Sequence, residues 1–301
     1  MRFITFLHEG AVRAGILKGD ASSLNQAVID LGHPSSQKHL GGLVPQVDAF
    51  VVHGLDDITQ RLADVSWTDE AYLTLGDVDL QAPLLRPLRI LGVAHNYQDA
   101  IAERNMTPPA APVIFEKDPA TVIGPTQAIV LPQGIGDVTY EAELAAVIGS
   151  SAHKVSVSEA LAHVAGYAVF NDISASEMIR RDGYLERGKN QPTFGPFGPY
   201  LATADEIDDP QALHVQLMGN DNVLQDSTTG QMLFNVAELI SRLSAETTLS
   251  PGTVIATGTP AGVAAMHTPP AWLRANMTLR ASVGGLGTLI NPVVEEPLYH
   301  G

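Results

Sequence analysis

The chain has 301 residues, 45% of them hydrophobic and 6% aromatic, so it is long enough for one large domain or two with a mainly aliphatic core. It contains no cysteine, which excludes disulfides, thiolate metal sites and a cysteine nucleophile. With 17 basic and 33 acidic residues its net charge is -16, which argues against nucleic acid or an anionic membrane surface as a partner.

The N-terminal part predicts a small α+β domain. Residues 1–20 have the alternation of a β-hairpin, and residues 45–65 have a helical pattern that Gly54 interrupts. The first residues match neither a signal peptide nor a membrane span, so we expect a cytoplasmic protein with no membrane partner. Pro83 and Pro87 indicate an extended linker. We therefore predict an N-terminal domain over 1–82 and a second domain over 83–301.

The second domain is predicted to be rich in strands. Two capping boxes, Ser156 with Glu159 and Ser174 with Glu177, indicate helix starts between strands. The three helices expected here cover 160–164, 178–181 and 235–243. The strands expected here cover 90–93, 112–115, 128–131, 140–148, 167–170, 214–218, 253–257 and 279–283. The fold class is therefore a β-rich α+β fold.

Segment 140–149, YEAELAAVIG, carries the most informative pattern of the chain. Residues two apart on a strand share a face, so Glu141 and Glu143 project side by side from an otherwise apolar run. Asp172 follows a second apolar strand and can supply a third carboxylate. Oxygen ligands without thiolate suit Mg²⁺ or Mn²⁺. The alternative is a solvent-facing strand with two ordinary surface glutamates.

The motifs in order resemble the fumarylacetoacetate hydrolase superfamily, in the bacterial branch of acylpyruvases and 2-hydroxyhepta-2,4-diene-1,7-dioate isomerases. The resemblance covers residues 90–292 almost continuously. It implies a catalytic domain of layered mixed β-sheets behind a small N-terminal α+β domain, commonly paired as a homodimer. The matching pieces are GVAHNY (92–97) with Glu103, PVIFEK (112–117), YEAEL (140–144), AGYAVFNDIS (165–174), Gly188-Lys189, LQDS (224–227), TGTPAG (257–262) and GLG (285–287).

The resemblance also implies roles for individual residues. It makes Glu141, Glu143 and Asp172 the ligands of Mg²⁺ (or Mn²⁺). The implied catalytic residues are Glu103 and Lys189, and the implied substrate-binding residues are Thr259, Gly258, Gln225 and Tyr97. His95 is a further catalytic candidate, as a stand-in proton carrier in place of the family's lid histidine. Some of these have a plainer alternative: Lys189 as an exposed loop lysine, Gln225 as a hairpin residue, 258–260 as a turn, and His95 as a histidine packed at a strand end.

Three positions depart from the family pattern. A lid motif of the family pairs a histidine with a glutamate as a water-activating dyad, but the histidine position is Ala100 here, while Glu103 remains. Ser176 and Ile179 stand where the family commonly carries an arginine and a glutamine. Arg180 or Arg181 is close enough in sequence to compensate in part, although helical spacing turns each to a different face.

The resemblance leaves the reaction open. A 2-oxo acid or diketone offers two oxygens to one ion, which as a Lewis acid stabilises an enolate. We expect a catabolic metal-dependent hydrolase that cleaves a C–C bond in an acylpyruvate-like 1,3-dicarbonyl compound. The alternatives are a lyase or isomerase with the same metal site (a decarboxylase, hydratase or tautomerase) and a non-catalytic ligand-binding relative.

Overall fold

The computed structural model describes residues 1–297. Its N-terminal part contains the predicted hairpin and the predicted helical region, which Gly54 divides with a φ of 110°. The elements up to residue 81 are β1 (Arg2–His8), β2 (Ala11–Lys18), β3 (Ala27–Asp30), α1 (Pro34–Gln37), α2 (Val47–His53), α3 (Leu55–Ala63), β4 (Tyr72–Thr74) and β5 (Asp79–Gln81).

The remainder alternates strands with short helices, as the sequence predicts. Its first elements are β6 (Arg89–Ala94), α4 (Gln98–Glu103), β7 (Val113–Lys117), β8 (Val122–Ile123), β9 (Ile129–Leu131), β10 (Val138–Thr139), β11 (Ala142–Ile148), α5 (Val157–Ala160), β12 (Val164–Asn171) and β13 (Ser174–Ala175). The later elements are α6 (Ser176–Asp182), α7 (Glu186–Lys189), β14 (Gly195–Thr203), β15 (His214–Gly219), β16 (Asn222–Thr228), α8 (Val236–Glu246), β17 (Thr253–Ala256), β18 (Thr278–Val283) and β19 (Thr288–Glu295).

Mixed β-sheets form the scaffold. The largest sheet has 12 strands, with the order β4-β3-β2-β1-β14-β12-β11-β17-β6-β7, to which β5 and β8 are added at β1 and β14. A second sheet has five strands in the order β16-β15-β18-β19-β9, and β10 pairs with β13. Most pairs are antiparallel, but three are parallel: β6 with β17, β8 with β14 and β9 with β19. The predicted β-rich α+β class is confirmed.

The N-terminal part continues the main sheet. Strand β1 pairs with β14, with Phe3 opposite Leu201. Phe3 and Phe50 also pack in one apolar cluster with Ala145 and Phe197 from the later strands. The sheet and this cluster therefore cross the predicted boundary between 82 and 83, and the division into two domains stays a prediction. Among residues 1–297, no helix is long and apolar enough to cross a membrane.

Strand β11 lies in the middle of the main sheet and is buried on both faces. Leu144 and Ala146 pack in one apolar cluster, while Ala145 and Val147 pack in another on the opposite face. A strand covered on both sides needs apolar residues at every position, which explains the continuous run after Glu143.

One of the two predicted capping boxes is confirmed, but the helix that follows it covers 157–160 and not the predicted 160–164, because Val164 already belongs to β12. Ser156 forms its capping box with Glu159, and Asn235 caps α8. The capping box predicted at Ser174 is wrong. Ser174 belongs to β13, where it pairs with Thr139, and α6 begins two residues later without a side-chain cap.

Candidate active site

The pairing of β11 with β12 brings the three predicted carboxylates together. Ala142 lies opposite Asn171, so Glu141 and Asp172 occupy the same end of the strand pair. The backbone closes this end, because the Asp172 N–H donates to the Glu141 carbonyl at 2.9 Å and the Asn171 side-chain oxygen accepts from the Glu141 N–H at 3.0 Å. Carboxylate oxygens of Glu141, Glu143 and Asp172 all lie within 4.8 Å of one another.

Two of these carboxylates are almost fully buried. Glu143 is 2% exposed and Asp172 is 1% exposed, so the alternative of ordinary surface glutamates is wrong. Burial, together with the charges of Asp172 and Glu141, raises the pKa of Glu143 well above its ordinary value. The Gly258 N–H donates to the Glu143 carboxylate at 2.9 Å and offsets part of this cost. Three clustered carboxylates with one shifted in this way fit a divalent cation, which would favour their ionised forms.

Lys189 points into the carboxylate cluster and is buried, so it is not an exposed loop lysine. Its ammonium group donates to Glu141 at 2.8 Å, to Ser174 at 2.9 Å and to Asp172. Burial alone would lower the pKa of Lys189, but Asp172, Glu141 and Glu143 outweigh it and raise the pKa above its ordinary value. Lys189 therefore stays protonated and supplies a fixed positive charge.

A second lysine, Lys117, lies in a motif that matches the family, but the sequence predicts no role for it. Its side chain is buried, and Nζ lies 2.8 Å from the Asp172 carboxylate. It also donates to the Ile173 carbonyl at 3.3 Å and to the Lys189 carbonyl. Burial lowers the pKa of Lys117, opposed by Asp172. The available signal was its strand position two residues after the buried Phe115, on the inward face of β7.

The turn after β17 forms one wall of the site. Gly258 has a φ of 95°, and a Cβ there would lie 2.8 Å from the Val93 carbonyl, so the turn requires glycine. The Thr259 hydroxyl donates to the Ala142 carbonyl at 3.0 Å. Gln225 is buried and joins the turn to β11, because its oxygen accepts from the Ala142 N–H at 2.9 Å and its nitrogen donates to Thr259 at 2.8 Å. Gln225 thus holds the wall together and is not a simple hairpin residue.

The carboxylates adjoin a cavity of about 440 Å³. Parallel strands β6 and β17 end side by side at its rim, which is the usual place for ligands in such sheets. Of the predicted residues, Glu141, Lys189, His95 and Thr259 line the cavity. Each of the three departures from the family pattern also lines it, namely Ala100, Ser176 and Ile179.

His95 lies in the turn between β6 and α4, half-buried, with a φ of 59°. A non-glycine residue in the left-handed region is strained, and such strain is concentrated at functional sites. Burial, followed by the charges of Arg104 and Lys189, lowers the pKa of His95 below its ordinary value of 6.5. The imidazole is therefore neutral at neutral pH and able to accept a proton.

Six predicted residues do not line the cavity: Glu143, Asp172, Gly258 and Gln225, described above, and Glu103 and Tyr97. The Glu103 carboxylate accepts the Gly262 N–H at 3.0 Å. Tyr97 is fully buried at the start of α4, where its backbone bridges to Met232. The roles predicted for Glu103 and Tyr97 stay predictions.

The sequence predicts Arg180 or Arg181 as a partial replacement for the family's pocket arginine, and the structure places these two side chains differently. Arg180 lines the cavity, but it pairs with Asp137 at 2.9 Å. Arg181 does not line it, and its guanidinium lies 3.3 Å from Asp182. Arg104, which was not considered from the sequence, does line it. Its place directly after the lid glutamate is the signal that would have identified it.

Comparisons with known proteins agree with this geometry. The family model for the C-terminal domain of fumarylacetoacetate (FAA) hydrolase matches residues 89–294. The oxaloacetate tautomerase FAHD2A, mitochondrial, of Bos taurus is 39% identical over 298 residues, which cover 98% of this chain and 92% of the relative.

Two solved structures extend the comparison. A 2-hydroxyhepta-2,4-diene-1,7-dioate isomerase from Mycobacterium marinum has a TM-score of 0.77 at 29% identity, covering 99% of this chain and 100% of that one. A maleylpyruvate hydrolase from Sphingobium sp. SYK-6, in complex with manganese(II) and pyruvate, has a TM-score of 0.77 at 26% identity with the same coverage. The named relatives catalyse different reactions, but they share one fold. The chain belongs to the fumarylacetoacetate hydrolase family.

Proposed function

We propose that the protein is a divalent-metal-dependent tautomerase that interconverts the enol and keto forms of a 2-oxo acid. The observation that carries the proposal is the arrangement of proton-transfer groups around the cavity. Ala100 lacks a proton-transfer group, and Glu103 is engaged by the Gly262 amide, so the water-activating pair of the family is incomplete. His95, in contrast, lines the cavity with a lowered pKa. A site that moves a proton without activating water fits a tautomerase better than a hydrolase.

The carboxylate cluster supports metal dependence. Glu141, Glu143 and Asp172 would hold Mg²⁺ or Mn²⁺, and the bound ion would supply Lewis-acid polarisation of the substrate's carbonyl oxygen. Lys189 adds a fixed positive charge beside the same oxygen ligands. Thr259 lines the same cavity as Lys189, so the proposal has the substrate bound between the turn at 258–260 and the lysine.

The proposed reaction is a balanced transfer of one proton. In the enol-to-keto direction, the enol hydroxyl loses a proton while C3 gains one, and the C2–C3 double bond becomes the C2–O double bond. Neutral His95 accepts the proton from one position, and the protonated imidazole returns it to the other. The lowered pKa keeps His95 neutral at neutral pH, so it can accept the first proton, and it makes the imidazolium that forms a ready donor for the second step.

Hydrolysis of a C–C bond, the reaction predicted first from the sequence, is the second candidate. One observation favours it: Glu103 lies on α4 close to Ala100, which lines the cavity, and among residues 1–297 a single backbone hydrogen bond holds its carboxylate. A shift of α4 would free Glu103 to activate water. Similarity to a maleylpyruvate hydrolase also supports this candidate. The lyase reaction and a non-catalytic ligand-binding role have no comparable support.

The test follows the ultraviolet absorbance of enol oxaloacetate with purified protein and Mg²⁺. We expect ketonisation faster than the spontaneous rate, and loss of this catalysis in excess EDTA. His95→Gln should lower kcat about a hundredfold or more, as for a positioned acid–base group. His163→Gln is the matched control, because His163 lies just before β12, at the end opposite Asn171. A wild-type rate in His95→Gln, or no catalysis by the wild type, contradicts the proposal.

Product analysis separates the two candidates. Acetylpyruvate is incubated with the wild type and with Ala100→His, and the products are identified by NMR. A tautomerase leaves the carbon skeleton intact, whereas a hydrolase gives acetate and pyruvate. We expect no cleavage by the wild type. Rapid cleavage that is lost in Glu103→Gln would make hydrolysis the function.

The proposal includes a homodimer in the cytoplasm with small-molecule substrates, on the basis of the family resemblance. The two-domain division at 82/83 also belongs to it. Since Phe3 packs against residues of later strands, we expect removal of 1–82 to expose part of the main sheet's apolar cluster.

A further inference from the structure

The charge of the cavity wall is opposite to that of the whole protein. The chain has a net charge of -16, yet Arg104, Arg180 and Lys189 line the cavity together with one carboxylate, Glu141. A cavity of this kind attracts an anion against the field of the surrounding surface.

The three cations are not equally available to a ligand. Lys189 is engaged by Glu141, Asp172 and Ser174, and Arg180 is paired with Asp137 and rests against the Trp272 ring at 5.9 Å. Within residues 1–297, the Arg104 guanidinium has no carboxylate within 4.0 Å and no side-chain hydrogen bond. Arg104 is thus the cavity cation whose donors are left for a ligand.

The position of Arg104 is fixed by helix α4. It is the C-terminal cap residue of this helix, and its N–H donates to the Ala100 carbonyl one turn earlier. Residues four apart share a helix face, so Arg104 and Ala100 face the cavity together. The charges of Arg104 and Lys189 both act on His95, so the proposed proton carrier lies within electrostatic reach of each.

We propose that Arg104 binds a second carboxylate of the substrate and makes the enzyme selective for 2-oxo dicarboxylic acids. This inference rests on the proposed function of the same cavity. The planar guanidinium fork matches a carboxylate with two parallel hydrogen bonds, a geometry that lysine cannot reproduce. The 2-oxo acid end is then bound at the carboxylate cluster, and C3 lies between the two anchors, where His95 is available.

The test uses two ligands that differ by one carboxylate, pyruvate and oxaloacetate. Binding of each is measured by isothermal titration calorimetry with Mg²⁺ present, for the wild type and Arg104→Met. We expect the wild type to bind oxaloacetate at least about tenfold more tightly, the difference typical of a charge-assisted pair. In Arg104→Met this preference should disappear, while the affinity for pyruvate stays within about twofold of the wild type.

Two further variants make the result decisive. Arg104→Gln is a second neutral substitution and replaces Arg104→Met if circular dichroism shows that the latter is unfolded. Arg180→Met is the comparator, and because Arg180 is already paired it should lose less of the preference. The inference is overturned if both neutral Arg104 variants keep the preference, if the wild type has none, or if Arg180→Met alone abolishes it. The oxaloacetate solution is brought to keto–enol equilibrium before the titration, so the affinity is independent of the rate measured in the ketonisation assay.

Discussion

Replacing Glu143 by glutamine tests whether the buried carboxylate cluster is a metal site. Glu143 is 2% exposed, and burial with two neighbouring carboxylates raises its pKa. Glutamine has nearly the same shape and keeps an oxygen that can accept the Gly258 N–H. The substitution removes one anionic ligand and relieves the repulsion within the cluster. We therefore expect a folded variant that no longer responds to metal.

The size of the effect follows from ligand linkage and chain length. A ligand at 100 times its Kd stabilises the folded state by about 2.7 kcal/mol. With about 2.1 cal/mol/K of unfolding entropy per residue, a chain of 301 residues shifts its Tm by about 1.6 °C per kcal/mol. Saturating Mg²⁺ should therefore raise the Tm of the wild type by about 4 °C and that of Glu143→Gln by less than about 1 °C. Without metal, the variant should be at least as stable as the wild type.

The assay is differential scanning calorimetry after dialysis against EDTA, with and without added Mg²⁺ or Mn²⁺. Glu246→Gln is the matched control, because Glu246 is exposed at the end of α8, and it should keep the full metal-induced shift. If metal does not shift the wild-type Tm, or if Glu143→Gln shows the same shift, the cluster is not a metal site.

Three other predictions concern pH, a buried amide and assembly. Because the folded state holds a proton on Glu143 that the unfolded chain releases, the contribution of Glu143 to metal-free stability falls as pH rises above the ordinary glutamate pKa. Metal affinity, measured by calorimetry, should rise over the same range by up to about tenfold per pH unit, and a flat profile would contradict this. Asn96→Ala should lower the free energy of unfolding, measured in urea, by about 3 kcal/mol. The Asn96 amide donates to the Phe234 and Thr257 carbonyls and accepts the Phe234 N–H, so truncation leaves these buried groups unpaired. A loss below about 1 kcal/mol would show that they find other partners. Light scattering at micromolar concentration should give twice the chain mass of 31.9 kDa, whereas a monomer would refute the dimer.

Local sequence patterns determined much of the scaffold and the core of the site. The two-residue period of β11 gave the faces of Leu144 and Ala145, and it placed Glu141 next to Glu143. Ser156 marked a helix start because a capping box needs only a neighbour three residues away, and the 3.6-residue period of 235–243 predicted α8. These features depend on contacts within one element, so the residues that form them are adjacent in the printed chain.

Contacts between segments distant in sequence decided the surroundings of the carboxylate cluster. Ser174 has the spacing of a helix cap, but β13 pairs it with β10, and its hydroxyl receives a hydrogen bond from Lys189. The Glu103 carboxylate meets the Gly262 amide across 159 residues, and Lys117 reaches the Lys189 carbonyl across 72. No local period records such contacts, because they arise only when strands distant in sequence become neighbours in a sheet. The packing of α4 against these strands left Arg104 lining the cavity without a partner carboxylate among residues 1–297. Thus the sequence alone predicted the carboxylates that form the cluster, whereas the tertiary structure decided which charges surround them.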